Sequence, residues 1–131
     1  MTGHMAVWNY YQTTKTPANE KFVKAWKAKY GADSVTSDPV DAAYASVYLW
    51  KAAVEKAKSF DVAAVKKAAD GVKFAAPGGD YEIDGDNQHI FKKVRIGVVQ
   101  PDGMFKEVWS TPNYVKPDPF LKTYAWGKGL S

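Results

Sequence analysis

Cysteine is absent from the 131 residues, which excludes disulfide bonds and thiolate-held metals and leaves a reducing or an oxidising compartment equally open. Histidine is almost absent. His4 and His89 lack the H-x-x-x-H spacing of a zinc pair, and His89 reads as a group that caps or orients its turn. No apolar run reaches the ~20 residues that a membrane-spanning helix needs. The opening MTGHMAVWNYY has no charged stretch followed by an apolar one, so no signal peptide is read there. Gly78-Gly79 stands outside any GxGxxG or Walker pattern, and no serine sits in a nucleophile elbow. Asp80 to Asp86 mimics the start of a calcium loop, but its twelfth position is Phe91 where a bidentate glutamate is needed; a solvated turn is the expectation. No enzyme signature, metal site or cofactor motif comes out of this reading.

A large charge of one sign is lacking too. Eighteen Lys and Arg against fourteen Asp and Glu give +4, which aids solubility without implying a polyanionic partner. Lysines alternate with rings between Phe22 and Tyr30, yet the rings share one helical face and the lysines mostly the other. That is the pattern of an amphipathic surface helix, and no nucleic-acid partner is expected. What the chain has in excess is aromatic residues: 15% of the total, with five Trp, eight Tyr and six Phe. A chain of this length, ordinary for a single domain, cannot bury so many rings. Some are expected to line a cleft, meet a partner or belong to an interface.

Local signals predict the order of elements. Ala6 to Gln12 reads as a strand. Thr16-Pro17 opens a helix with a capping hydroxyl and a proline at its first position, and Gly31 ends it. Ser37-Asp38-Pro39 repeats the signal for a second helix reaching about Lys58, with Ala43, Val47, Trp50 and Val54 as its apolar stripe. The first half of this helix is almost uncharged on every side, so it should be enclosed on several sides. Asp61 caps a third helix, Phe60 can staple onto Val65, and Gly71 closes it. The period then changes to two: short strands flank Pro77-Gly78-Gly79, and Val94, Ile96 and Val98 lead through Pro101-Asp102-Gly103 to Phe105, Glu107 and Trp109 as a hairpin. Prolines 112, 117 and 119 indicate an extended tail.

Asp41 and Tyr44 stand one turn apart near the start of the second helix. A carboxylate and a phenol at this spacing could present themselves together to a polar ligand. Favourable placement near the helix dipole accounts equally for Asp41, and core packing for Tyr44.

Three stretches carry a resemblance. GHMAVWNYYQTTKTPANEKFVKAWKAKYG, TSDPVDAAYASVYLWKAAVEKA and FAAPGGDYEIDGDNQHIFKKVRIGVVQPDGMFKEVWS, followed by VKPDPF, resemble the C-terminal third of urea-type substrate-binding proteins of bacterial ABC importers. These belong to the type I periplasmic-binding, branched-chain amino-acid class, close to short-chain amide receptors. The resemblance implies an α/β fold, a fragment of two doubly wound lobes that close on ligand about a three-stranded hinge. Residues 6–12 would be a hinge-proximal strand, 16–71 three helices of the first lobe, 72–109 a hinge strand and hairpin, and 110–131 an extended tail. It also implies a non-enzymatic protein without cofactor, which captures urea or a short amide in the periplasm or as a lipid-anchored extracellular protein and delivers it to an ABC permease. Tyr44 would line the cleft and Asp41 accept an amide N–H, with Tyr10 and Tyr11 at the cleft mouth. An amide-sensing regulatory module of the same fold, binding a protein partner, is the alternative. Fragment faces left bare drive association, so a homodimer or domain-swapped oligomer is expected.

Overall fold

A hydroxyl followed by proline sets the first helix. In the computed structural model, which describes residues 1–127, Thr16 accepts the Asn19 amide at 3.0 Å and α1 runs Pro17–Tyr30. Gly31, at φ 103°, ends it with its N–H on the Lys27 carbonyl. The Thr16 hydroxyl also donates to the Pro77 carbonyl at 2.8 Å, so the cap is tied to a turn 61 residues away.

The second helix, α2, spans Asp38–Ala57. Ser37 has the extended backbone of a cap but makes no side-chain cap bond. The buried stripe differs from the expected one. Asp41, Ala45, Leu49 and Ala53, each a turn apart, face inward, whereas Val47 is 62% and Trp50 55% exposed. An almost uncharged helix gives periodicity nothing to choose between its faces; Asp41, whose partners lie in the sheet behind it, decides the rotation. A further helix, α3, covers Val62–Ala68 with Asp61 accepting the Ala64 amide at 2.9 Å. Phe60 does not bury itself as a staple: it is 81% exposed, its ring 6.5 Å from Trp50.

Among the described residues, six strands make two antiparallel sheets. One is ordered β1-β5-β6, from β1 (Met5–Trp8), β5 (Arg95–Val99) and β6 (Phe105–Ser110); the other is β2-β3-β4, from β2 (Lys73–Ala76), β3 (Gly79–Ile83) and β4 (Ile90–Phe91). Both expected hairpins are present, around Pro77-Gly78 and Pro101-Asp102-Gly103. The strand expected over 6–12 stops at Trp8, because Tyr10 and Tyr11 leave it to be buried in a corner, where the Tyr11 N–H meets the Thr14 hydroxyl at 3.1 Å. The alternation in β5 is inverted. Arg95 and Gly97 face inward, and Ile96 and Val98 share the outer face with their partners Val7, Trp109 and Met5. A guanidinium with three internal partners, and a glycine on which the Tyr11 ring packs, outweigh the apolar count. The tail is strapped in place by a bridge from Val115 to Lys92 and ends, among the described residues, in a 3-10 turn at Ala125–Gly127; residues 128–131 of the expected extended tail lie outside them.

The helix layer packs on the β2-β3-β4 sheet through Ala45, Leu49, Ala53, Ala69, Val72, Ala76 and Tyr81. Truncating a buried leucine costs the transfer term plus a cavity. Leu49→Ala should therefore lower unfolding free energy by about 2–5 kcal/mol in a denaturant titration, and Val47→Ala should change it by less than about 0.5 kcal/mol. Equal effects would show that the helix is rotated differently.

Candidate functional site

The first turn of α2 carries the chemistry. Asp41 is fully buried. One carboxylate oxygen accepts the Gly78 amide at 3.0 Å, and the other accepts the Tyr81 hydroxyl. The Lys92 ammonium lies 3.5 Å from Asp41, 3.9 Å from Asp38 and 4.6 Å above the Tyr81 ring. Two carboxylates one turn apart thus share one cation. Burial pushes the Asp38 carboxyl up; Lys92 pulls it back, and the neighbouring charge of Asp41 adds to the rise. Burial, then the Asp41 charge, hold the Tyr81 phenol far above its ordinary value. Gly78 is needed at the turn, since a Cβ there would run into the Tyr81 hydroxyl.

Arg95 completes the arrangement from the other sheet. Its Nε donates to the Asn9 carbonyl at 3.0 Å, one terminal nitrogen to Glu107 at 2.7 Å and the other to the Gly78 carbonyl at 2.8 Å. The residue Gly78 is consequently held at both ends, its N–H by α2 and its C=O by β5. Neither Lys92, Tyr81 nor Arg95 stood out in the sequence. The available signal was a charged residue at alternate positions of a strand, which ordinarily marks the solvent side.

The structure separates the two residues that the sequence pairs. Asp41 is spent on internal partners, whereas Tyr44 points into a groove between α1 and α2, its ring 4.6 Å from Phe22, 4.8 Å from Tyr48 and 6.1 Å from Phe74. This groove measures about 1020 Å³ and is floored by Phe22, Trp26, Tyr44 and Phe74, with Lys21 and Lys29 on its rim. Burial and the adjacent Tyr48 raise the Tyr44 phenol.

Tyr10 and Tyr11 line a second, smaller pocket of about 350 Å³, together with Trp8, Thr36, Ser37 and Asp38 at the start of α2. Their hydroxyls are committed elsewhere. Tyr10 donates to Asn19 at 2.8 Å and lies 2.7 Å from the Thr36 hydroxyl; Tyr11 donates to the Ala6 carbonyl at 2.6 Å and stacks on Phe105 at 4.9 Å. Both offer the pocket rings rather than hydroxyls, and the carboxylate on its wall is Asp38. Burial pushes the Tyr10 phenol up to about 12, with the Thr36 hydrogen bond opposing and the Asp41 charge adding. His89 sits in the turn before β4, its amide on the Asn87 side chain at 2.8 Å and its ring Nδ1 3.0 Å from the Asn87 carbonyl.

Two measurements check this geometry. Asp41→Ala, which leaves the buried Tyr81 phenol and Gly78 amide without their acceptor and Lys92 with Asp38 alone, should destabilise the chain by about 3–5 kcal/mol; a loss below about 1 kcal/mol would mean that these groups find water instead. Because the folded Tyr10 value lies above the unfolded one, its contribution is complete below pH 10 and is lost as pH rises to about 12. Denaturant midpoints should fall across that window, and fall less steeply in Tyr10→Phe than in the unaltered chain.

A family model described as "Periplasmic binding protein domain" matches residues 1–125. The fold is similar to that of an ABC-transporter solute binding protein from Rhodopseudomonas palustris BisB5 in complex with 3,4-dihydroxybenzoic acid. The TM-score is 0.79 at 23% identity, covering 88% of this chain and 32% of that one. The HaA2 strain's solute binding protein, in complex with p-hydroxybenzoic acid, gives 0.78 at 25% identity, with 94% and 34% covered. A leucine binding protein from Thermotoga maritima MSB8 gives 0.71 at 22%, with 83% and 31% covered. Among curated proteins, one named limonene hydroxylase from Geobacillus stearothermophilus is 29% identical over 119 residues, 91% of this chain and 22% of that protein. The chain therefore spans about a third of the solved relatives and less of the curated one.

Proposed function

This chain belongs to the periplasmic binding protein domain family, and from that premise we propose that it serves a solute-binding protein that captures urea or a short-chain amide for an ABC importer. The role is binding and not catalysis; the hydroxylase name stays with a protein of which this chain matches 22%. Its place of action is the periplasm or, on a lipid anchor, the cell exterior.

The observation that carries the reading is the pocket at the start of α2. Its walls are the rings of Trp8, Tyr10 and Tyr11, and its polar groups are the side chains of Thr36, Ser37 and Asp38. Flat apolar walls with a few fixed polar groups suit a small planar solute that both donates and accepts hydrogen bonds. Ser37, free of any capping bond, can turn its hydroxyl to the solute. A solute N–H is drawn to the Asp38 side of the pocket, whereas a carboxylate solute would meet a like charge there. Asp38 thus takes the part that the resemblance gave to Asp41, and Asp41 acts from behind by holding α2 in place. Each polar group that a bound solute leaves unpaired costs about 1–3 kcal/mol, so affinity depends on the facing wall of the cleft as much as on this one.

Calorimetric titration of the full-length polypeptide carrying this sequence tests the reading. Urea and acetamide should give saturable heat, benzoate and leucine none. Asp38→Asn and Tyr11→Ala should each weaken binding at least tenfold, and Tyr44→Ala less than threefold. Loss with Tyr44→Ala alone would move the solute into the α1–α2 groove; binding of benzoate in preference to urea would overturn the choice of solute.

A further inference from the structure

The Asp38 carboxylate, which the solute N–H is to meet, is supported from one direction. Its side chain is 16% exposed, and its Oδ1 is buried without a hydrogen bond from any described residue. The charge facing that oxygen is the Lys92 ammonium at 3.9 Å. Asp41 has no such need of a cation, since its two oxygens already accept the Gly78 amide and the Tyr81 hydroxyl. Lysine is rarely buried unless its charge is used, yet Lys92 is 15% exposed and doubly held. Its ammonium lies over the Tyr81 ring, and its carbonyl accepts the Val115 amide at 2.8 Å, so the tail pins it just beyond β4. The other titratable and charged groups about Asp38 are Asp41 on its own helix turn, Tyr81 of β3, Tyr10 and Tyr11 after β1, and Arg95 of β5 with Glu107 of β6. The phenols are all raised and stay neutral, and Arg95 and Glu107 offset each other at 2.7 Å. What remains around Asp38 is one ammonium against one carboxylate.

We propose that Lys92 is a positioning residue for solute capture: standing between Asp38 and Asp41, it keeps the Asp38 carboxylate charged and so able to take a solute N–H as a charge-assisted bond. This role rests on the reading of the pocket as a urea or amide site. Burial raises the Asp38 carboxyl, and Lys92 is the strongest influence lowering it, with the Asn9 and Tyr10 amides adding less. Without the ammonium, two buried carboxylates one turn apart repel, and one of them takes up a proton more readily. A protonated Asp38 offers the solute a neutral oxygen, and such a bond is roughly half as strong as one to a carboxylate. A neutral planar donor is therefore held best while Lys92 is in place.

Calorimetric titration with urea as a function of pH tests it in the full-length polypeptide carrying this sequence, beside NMR titration of the Asp38 carboxyl without urea. The charged form binds urea, so affinity falls as pH falls through the Asp38 titration. Lys92→Met should bring that fall about one pH unit or more nearer neutrality, a cation at this distance lowering a carboxyl by about 1–3 units. Lys92→Arg should keep the profile of the unaltered chain. Asp41→Asn, which removes the like charge and leaves a side chain of the same shape, should displace the fall the other way, and its sign decides the matter should Lys92→Met fail to fold. Coincident profiles for the unaltered chain and both charge-removing variants overturn the inference, as does displacement of both in one direction. If the carboxyl titration moves as stated while urea gives no heat at any pH, the urea reading fails and the hold of Lys92 on Asp38 stands.

Discussion

Gly78 is the point on which the molecule turns. Its N–H ends on Asp41 of α2 and its C=O on Arg95 of β5, while the Thr16 hydroxyl that caps α1 holds the carbonyl of Pro77 beside it. One buried turn therefore joins two helices and both sheets. The side chains that reach it are charged, which is costly in an interior unless every charge is met. Here they are met: Lys92 stands between Asp38 and Asp41, and Glu107 faces Arg95. Apolar packing alone gives this chain a modest core of small residues around Leu49 and Tyr81. The directional bonds at Gly78 set how that core's helices are rotated and where the second sheet sits.

This explains which features were legible in the sequence. Local chemistry was readable where one or two residues decide it: Thr16-Pro17 and Gly31 around α1, Asp61 before α3, and proline with glycine in both hairpins. The rotation of α2 and the parity of β5 were not readable, because a long-range polar bond decided each against the local apolar pattern. Asp41 on α2 and Arg95 on β5 both turn inward, and Val47 and Ile96 are displaced from the core face as a consequence. Asp41 was recognisable as unusual, a carboxylate in a nearly uncharged half-helix. Its partners were not, since Gly78 lies 37 residues and Tyr81 40 residues away. The resemblance to the solute-binding class needed none of this and agrees with the family match over residues 1–125.

The same network separates two surfaces of the chain. By fixing the first turn of α2 it presents Ser37 and Asp38 to the small pocket beside Tyr10 and Tyr11. One turn further on, Tyr44 is left facing the ring-lined groove on the other side. A small ring-walled pocket and a broad apolar groove thus both border the first turns of one helix.

Amide hydrogen exchange followed by NMR addresses the Gly78 turn directly. With its N–H on a fully buried carboxylate and its carbonyl on a buried guanidinium, Gly78 should open only by global unfolding. The account predicts an exchange rate for its amide as slow as the slowest amides of α2 around Leu49. Exchange at the rate of the exposed Gly103 turn would contradict it.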